Sequence, residues 1–288
     1  MKREGTVIAA HGRHYLVELD GGEVLPCFPR GKKSEVACGD RAAITQSNDT
    51  QGVIDSVLPR KTLLYRSNEF RQKLIAANVT QIVIVVATEP SFSDDLVTRC
   101  LVAAESQDIP ALIVLNKCDL TERLASARRT LEPFERLHYP ILNLSAHASV
   151  EVLRPYLSDQ TTVLVGQSGM GKSTLVNALI PDANARTREI SEALDSGKHT
   201  TTHATLYRLD ERSALIDSPG LQEFGLHHLS LLELEQGFRE FRPLHGHCRF
   251  RNCRHDREPG CVIREAVEAG EIDRNRYTAF RALSIGLR

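Results

Sequence analysis

The feature that most constrains the fold is a glycine-rich loop in the middle of the chain. Residues 166–173 read GQSGMGKS, which fits G-x-x-x-x-G-K-[ST], and they lie between a strand-like run, TTVLV, and a helix-like run, STLVNALI. In this context the glycines let the backbone curl so that its N–H groups point at phosphate oxygens. We therefore predict a nucleotide site in which Lys172 contacts the β- and γ-phosphates and Ser173 ligates Mg²⁺. The predicted phosphate-binding residues are Gly166, Gln167, Ser168, Gly169, Met170, Gly171, Lys172, Ser173 and Thr174.

Two segments downstream of this loop are predicted to complete the phosphate and Mg²⁺ site. Asp217-Ser-Pro-Gly220 ends the apolar run SALI, where the Asp217 carboxylate is expected to hold Mg²⁺ and the Gly220 N–H to face the γ-phosphate. Residues 197–206 read GKHTTTHATL, and a hydroxyl of Thr201 or Thr202 is predicted to complete the Mg²⁺ shell when γ-phosphate is present. The alternative is a threonine-rich loop that only leads into the next strand.

A base-reading motif, Asn116-Lys117-Cys118-Asp119, follows the buried strand-like run ALIVL. The Asp119 carboxylate can accept hydrogen bonds from both N1–H and the exocyclic amine of guanine, a donor pair that adenine lacks. Asn116 is expected to bond the base and the phosphate loop, and the Lys117 stem to cover one face of the base. Ser145-Ala146, after the next strand, suits a loop whose N–H reaches the guanine O6. The sequence therefore predicts GTP rather than ATP.

The order of these motifs is unusual, because in ordinary GTP-binding proteins the phosphate loop precedes the base-reading motif. Here Asn116–Asp119 comes first, then Ser145-Ala146, the phosphate loop, the threonine-rich loop and Asp217–Gly220. Sheet neighbours need not be sequence neighbours, so the same sheet can be built from a circularly permuted chain. In this order the γ-phosphate-sensing segment leads directly into the C-terminal part, and we expect nucleotide state to act on residues 226–288.

Residues 1–58 read as five short strands in the runs TVIAAHGRHYLVEL, EVLPCFPRG, CGDRAAITQ and GVIDSVLP. Their number and spacing favour an OB-like β-barrel, with an SH3-like barrel as the alternative. Residues 59–73 show neither strand nor helix period, and we interpret them as a linker that either faces phosphate or is a solvated connector. The basic residues of this stretch are Arg60, Lys61, Arg66, Arg71 and Lys73.

From residue 78 apolar strand-like runs alternate with helix-like ones, which predicts a doubly wound, mostly parallel α/β sheet. After residue 226 the pattern is helical on both sides of a Cys/His cluster. The predicted domains are an OB-like barrel over 1–60, a circularly permuted GTPase domain over 61–225, and a small α-helical zinc-binding domain over 226–288.

Cys248, Cys253, His255 and Cys261 supply three thiolates and one imidazole within a short stretch, a plausible closed tetrahedral Zn²⁺ set. Such a set predicts one structural ion that folds a module lacking its own core. The alternative, reduced core cysteines, fits poorly with the arginine-rich surroundings. These arginines are candidates for RNA phosphate contacts, or else part of a solvated charged face: Arg242, Arg249, Arg251, Arg254, Arg257 and Arg264.

A β-barrel, a permuted GTPase core and a C-terminal Cys/His module together resemble the ribosome small-subunit-dependent GTPase A family (RsgA, also YjeQ), over nearly the whole chain. The resemblance implies a bacterial factor that acts late in small-subunit assembly, binds the 30S subunit and 16S rRNA, and is a GTPase stimulated by that subunit. It also implies that zinc occupies the four Cys/His positions.

The residue that positions the attacking water is open from the sequence. Many GTPases use a glutamine directly after D-x-x-G, but this chain has Leu221 there and Gln222 next. The resembling family likewise has a hydrophobic residue at that position. We expect slow intrinsic hydrolysis, with His199 or His203 orienting the water once docking orders the threonine-rich loop; the alternative is that they are ordinary loop histidines.

The bulk composition limits the alternatives. The formal net charge is −1, so any binding to RNA must come from local patches. There is neither an apolar run long enough for a membrane span nor an export signal, so we expect a cytoplasmic protein without membrane contact, and a monomer.

Two competing functions remain. One is a GTP-dependent metallochaperone, which predicts exchangeable metal. The other is a non-enzymatic RNA-binding module with a vestigial nucleotide site, against which the full set of Lys172, Ser173 and Asp217 argues.

Overall fold

The structure is a computed structural model that describes residues 2–31, 35–48, 50–68, 71–183, 204–218, 226–285 and 287; the side chains of 66–68 and 71–73 are not described. Several residues singled out above lie outside the described residues: His199, Thr201, Thr202, His203, Gly220, Leu221 and Gln222.

The N-terminal part is a closed barrel of five strands, as predicted. These are β1 (Lys2–His11), β2 (His14–Leu19), β3 (Val24–Pro29), β4 (Arg41–Asn48) and β5 (Gln51–Val57). The strands pair in the order β1-β2-β3-β5-β4, and β4 closes the barrel by pairing with β1; only β3 and β5 run parallel. Alternate residues point inward, so that Val7, Val17, Leu25, Ile44 and Ile54 fill the interior.

The interpretation of residues 59–73 as a linker was wrong. Most of this stretch belongs to an antiparallel hairpin of β6 (Leu63–Asn68) and β7 (Arg71–Ala77). The apolar residues of both strands gather at the open end of the hairpin, where Leu64 and Ile75 are buried, and the charged residues gather near its turn. Because polar and apolar residues are separated along the strands rather than alternating, no period of two is visible in the sequence.

The central sheet is doubly wound, and its strand order is that of a permuted core. Its strands are β8 (Gln81–Ala87), β9 (Ala111–Asn116), β10 (Ile141–Asn143), β11 (Thr161–Val165), β12 (Ala204–Arg208) and β13 (Ala214–Asp217). They lie in the order β10-β9-β8-β11-β13-β12, all parallel except β12. The edge strand β12 pairs antiparallel with β1, joining Thr205 to Ala9, so the barrel and the central sheet are hydrogen-bonded into one surface.

Helices cover both faces of this sheet. On one face lie α1 (Asp94–Glu105) and α2 (Leu124–Arg136), and on the other lie α3 (Arg154–Leu157) and α4 (Lys172–Leu179). Ser93 caps α1 by accepting a hydrogen bond from the Asp95 N–H. The helix α3 consists of a single turn.

The C-terminal part is helical and shares its core with the α1 face of the sheet. It contains α5 (Leu231–Gln236), a 3₁₀ helix (Arg239–Leu244), α6 (Val262–Glu268) and α7 (Arg274–Ile285). Phe238, Phe241 and Phe280 pack together and belong to the same buried cluster as the α1 residues. This agrees with the expectation of a small module without a separate core. None of the described helices is long and apolar enough to cross a membrane.

Candidate nucleotide site and zinc centre

The sheet brings the separate nucleotide motifs to one edge. Strands β9, β11 and β13 run parallel, so the segments that follow their carboxyl ends lie side by side, the usual ligand position in such sheets. The base-reading motif begins at Asn116, the last residue of β9, and the glycine-rich loop follows β11. Asp217 ends β13 and pairs in register with Leu164 of β11. Residues distant in sequence are therefore arranged around one candidate site.

The glycine-rich loop is held by very close packing. A Cβ on Gly166 would lie 2.2 Å from the carbonyl oxygen of Val85, and one on Gly171 would lie 2.3 Å from Nδ2 of Asn116. Gly171 has a φ of 89° and is the N-cap residue directly before α4. The first turn of α4, which includes Lys172 and the exposed Ser173, therefore offers the free N–H groups of a helix N-terminus, a feature suited to binding an anion.

Asn116 connects the base-reading and phosphate-binding segments directly. Its Nδ2 donates to the carbonyl oxygen of Met170 at 3.0 Å, and its Oδ1 accepts from the Ala146 N–H at 2.9 Å. The side chain is buried, with 1 % exposed. One amide thus joins the loop after β9, the glycine-rich loop and the loop that carries Ser145, in addition to the base contact that the sequence predicts for it.

A loop that sequence reasoning missed supports Lys117. The Lys117 Nζ donates to the carbonyl oxygen of Glu89 at 2.8 Å, and Thr88 Oγ1 donates to the carbonyl oxygen of Lys117 at 2.8 Å. Pro90, in the same loop, faces Gly169 of the glycine-rich loop. The available signal was the position of the TEP sequence, directly after the buried strand β8 at the ligand edge of the sheet.

Asp119 is exposed and suited to act as an ionised acceptor. A hydrogen bond from the Ser145 side chain is the largest cause that holds the pKa of Asp119 below its ordinary value. The loop after β10 therefore stabilises the charged form of the carboxylate that the sequence assigns to guanine. Cys118, which precedes Asp119 in the base-reading motif, donates its N–H to the carbonyl oxygen of Leu144 at 3.1 Å. This hydrogen bond ties the base-reading motif to the loop after β10.

Lys172 and Asp217 form a half-buried pair of opposite charges. Burial lowers the pKa of Lys172 and raises the pKa of Asp217, and in each case the charge of the other residue partly offsets that shift. The Lys172 Nζ donates to the carbonyl oxygens of Gly166 and Gln167, at 2.5 and 2.9 Å. The loop thus holds the ammonium group over the position where phosphate oxygens are expected.

The four predicted zinc ligands converge in the C-terminal part. The candidate ligand atoms of Cys248, Cys253, His255 and Cys261 all lie within 4.8 Å of one another. The His255 Nδ1 is 3.3 Å from Cys261 Sγ and 3.6 Å from Cys248 Sγ. Atoms at about 2.0–2.3 Å from a tetrahedral centre lie about 3.3–3.8 Å apart, so these separations fit zinc coordination.

The donor chemistry supports the same assignment. Burial is the largest cause that raises the pKa of Cys253 to about 12, so this thiol is protonated without a cation. A zinc ion would favour the thiolate form. The cluster therefore fits one structural zinc ion.

Sequence reasoning missed one residue at this centre, Glu235. Its Oε1 is 3.1 Å from the Nε2 of His255, on the side of the ring away from the thiols, and its Oε2 is 3.3 Å from the Nδ1 of His245. Glu235 lies twenty residues before His255, on a different element, so no local spacing could have pointed to it.

The arginines near the cluster divide into two groups. Arg242 donates to Glu105 Oε2 at 2.5 Å and Arg254 to the carbonyl oxygen of Leu287 at 3.3 Å, so both contribute to packing. The second group consists of Arg249, Arg251 and Arg257, which are exposed and form no ion pair with any described residue, and the exposed Phe250 ring lies 5.6 Å from the Arg249 guanidinium.

Comparison with known proteins supports the interpretation of the chain as a GTPase. A family model described as RsgA GTPase matches residues 57–227. Small ribosomal subunit biogenesis GTPase RsgA of Burkholderia pseudomallei is 54 % identical, covering 98 % of this chain and 91 % of the relative. The protein of the same name from Nitrosospira multiformis is 53 % identical, covering 98 % and 90 %.

Two solved structures have the same architecture. YjeQ from Thermotoga maritima matches with a TM-score of 0.73 and 32 % identity, covering 98 % of this chain and 97 % of that one. YloQ, described as a circularly permuted GTPase, matches with a TM-score of 0.71 and 29 % identity, covering 98 % and 93 %. Fold and site thus define a circularly permuted GTPase with a barrel before it and a zinc centre after it. Within that class, the chain belongs to the RsgA GTPase family.

Proposed function

We propose that this chain hydrolyses GTP to GDP and phosphate as a checkpoint or release switch in the late maturation of the small ribosomal subunit. The observation that carries the proposal is the meeting, at one sheet edge, of base-reading, phosphate-binding and γ-phosphate-sensing segments. The curated relatives, 54 % and 53 % identical, are named small ribosomal subunit biogenesis GTPases. Family membership identifies the enzyme as a GTPase, and their name gives the process.

Each part of the site has a task in this proposal. Asp119 reads guanine, with Ser145 and Ala146 beside it and Lys117 over the base. The glycine-rich loop from Gly166 to Thr174 holds the phosphates, with Lys172 supplying the charge. A Mg²⁺ ion would neutralise charge developing on the phosphates, and Ser173, Asp217 and Thr201 are its proposed ligands, with Thr202 as the alternative to Thr201.

Binding to the small subunit and its 16S rRNA is proposed to use local basic surfaces. Arg249, Arg251 and Arg257 are exposed beside the zinc cluster, and arginine suits RNA phosphate.

The limits 1–60, 61–225 and 226–288 remain the proposed domains. We propose that the protein acts as a cytoplasmic monomer.

Hydrolysis is proposed to be slow until the subunit completes the site. Gly220 would direct its N–H at the γ-phosphate, and Leu221 replaces the glutamine that many GTPases use to orient water. His203, or His199, is the proposed residue for this role. Full subunit-stimulated turnover by a variant lacking both histidines would exclude it.

The experiment that tests the proposal is GTP turnover at moderate salt, alone and with purified small subunits, with large subunits and tRNA as controls. We expect strong stimulation by small subunits only, and its loss in Lys172→Met. Slow turnover that no ribosomal particle changes would contradict the proposal and favour the metallochaperone alternative. That alternative predicts readily exchangeable zinc, whereas a closed four-residue set, three of its members buried, predicts slow exchange.

A further inference from the structure

The histidine of the zinc cluster has two different neighbours at its two ring nitrogens. Nδ1 faces the sulfur atoms of Cys261 and Cys248, at 3.3 and 3.6 Å. Nε2 lies 3.1 Å from Glu235 Oε1, and the two side chains are only 8 % and 13 % exposed. An imidazole that binds metal through one nitrogen carries its proton on the other, and that N–H needs an acceptor when buried.

We propose that Glu235 is the positioning residue of the zinc centre: its carboxylate accepts the Nε2–H of His255 and so directs Nδ1 at the metal. The contact selects one tautomer and one orientation of the ring. A ring flipped about its Cβ–Cγ bond would turn Cδ2 towards the thiols and Cε1 towards the carboxylate, so neither group would have a nitrogen partner. Glu235 therefore acts through His255 and is not itself a ligand.

The negative charge of the zinc centre bears on why the Glu235 carboxylate lies next to it. Zn²⁺ with three thiolates already carries a net charge of −1, so a further half-buried carboxylate nearby is unfavourable unless it is hydrogen-bonded. Glu235 meets this condition through Oε1, which lies 3.1 Å from the Nε2 of His255, and its Oε2 lies 3.3 Å from the Nδ1 of His245. The two carboxylate oxygens therefore contact two different histidines.

The contact also joins two elements. Glu235 lies near the end of α5, which begins with a capping box between Ser230 and Glu233. His255 lies in the zinc-binding loop and accepts a further restraint from Tyr277 of α7, whose hydroxyl donates to the carbonyl oxygen of His255 at 2.6 Å. α5 is the first described helix after Asp217 in the chain. The contact of Glu235 with His255 therefore ties the metal centre to the part of the C-terminal region that follows the nucleotide site in sequence.

The test compares Glu235→Ala and Glu235→Gln with Glu268→Gln, a matched control that removes an exposed carboxylate whose nearest arginine contact is 3.8 Å. The readouts are zinc transfer to a chromophoric chelator, the absorption spectrum of the cobalt-substituted protein, and ¹⁵N-correlated NMR of the histidine rings. None of them depends on GTP turnover or on ribosomes, so the outcome is independent of the proposed function.

We expect zinc affinity to fall about 10- to 100-fold in Glu235→Ala, the usual effect of removing such a partner. The NMR signal of a hydrogen-bonded Nε2–H should be lost, and the cobalt spectrum should change. Glu235→Gln keeps an oxygen acceptor and should recover the ring orientation and most of the affinity. Glu268→Gln should match the wild type.

Equal zinc affinity in wild type and Glu235→Ala, or metal bound through Nε2 of His255, would overturn the proposal. If Glu235→Ala fails to fold, the comparison of Glu235→Gln with wild type decides. An unchanged Nε2–H signal in that variant supports the proposal, and a switched tautomer contradicts it.

Discussion

At the scale of single residues, the guanine site depends on which atoms are left to act on the nucleotide. Asn116 uses both ends of its amide within the protein, whereas Asp119 is exposed and kept ionised by Ser145. We therefore propose that Asp119 carries most of the discrimination between bases. Lys172 and Asp217 are half-buried charges, a costly arrangement that a binding site tolerates because its ligand completes it.

Asp119→Asn should exchange guanine for xanthine. The carboxylate accepts two hydrogen bonds from guanine, and an amide replaces one acceptor by a donor that suits the 2-oxo group of xanthine. We expect GTP affinity to fall about 100-fold or more and XTP affinity to rise. Fluorescent-nucleotide titration measures both, with Asp108→Asn, at an exposed position, as the control. Retained preference for GTP would contradict the assignment.

Lys172→Met should separate activity from stability. Burial lowers the pKa of Lys172, so the folded state binds this proton less tightly than the unfolded chain, and the charge costs stability at pH values below the folded pKa. That cost disappears as the pH rises through the folded pKa towards the ordinary one. We therefore expect turnover to fall about 100-fold or more, and the nucleotide-free protein to melt at the same or a higher temperature at pH 7.

Thermal melts of wild type and Lys172→Met between pH 7 and pH 10 provide the check. The difference in melting temperature should be largest at the lower pH and shrink as the pH rises. A variant that is clearly less stable at pH 7 would show that the carbonyl contacts of Lys172 outweigh its burial.

At the scale of elements, the site depends on how closely the loops approach one another. The glycine-rich loop lies against the end of β8 and against Asn116 at distances that exclude a side chain. The loop after β8 holds Lys117 through the carbonyl oxygen of Glu89. The site is thus formed by three loops that fix one another, not by the glycine-rich loop alone.

Gly171→Ala should abolish nucleotide binding because a Cβ would meet Asn116 Nδ2 at 2.3 Å. Gly22→Ala is the matched control: its φ of 84° is close to the 89° of Gly171, but a Cβ there has open space. Both substitutions carry about 1–2 kcal/mol of backbone strain, and only the first displaces Asn116. Equal GTP affinity in the two variants, measured by titration, would contradict the role of this packing.

At the scale of the whole molecule, the C-terminal part is attached to α1 by buried charges as well as by its phenylalanines. Arg276 donates to both oxygens of Glu240, at 2.7 and 3.1 Å, and to the Thr98 hydroxyl at 3.0 Å. Glu105, at the end of α1, accepts from Arg239 and Arg242. α1, which follows the loop after β8, therefore connects the nucleotide site to the zinc-binding part. This connection is additional to the one made by the chain itself after Asp217.

Arg276→Met should be strongly destabilising, because it leaves Glu240 buried without its partner. We expect a loss of about 3–5 kcal/mol of unfolding free energy, and substantial recovery in the double variant Arg276→Met, Glu240→Leu. Urea denaturation measures both. Arg264→Met, which removes a more exposed pair separated by 3.8 Å, should cost no more than about 0.5 kcal/mol. A loss for Arg276→Met no larger than for Arg264→Met would contradict this account.

The sequence by itself determined the features that depend on short spacing: the glycine-rich loop before α4, the base-reading motif after β9, the five barrel strands and the Cys/His set. Their physics is local, because a few neighbouring residues set the backbone curvature or the ligand separation. Only the tertiary structure decided the contacts between distant segments. Asn116 reaches Met170 across 54 positions, and Glu235 reaches His255 across twenty. The hairpin of β6 and β7 belongs with these, since the packing of its apolar end against the core, rather than alternation in sequence, makes it a pair of strands.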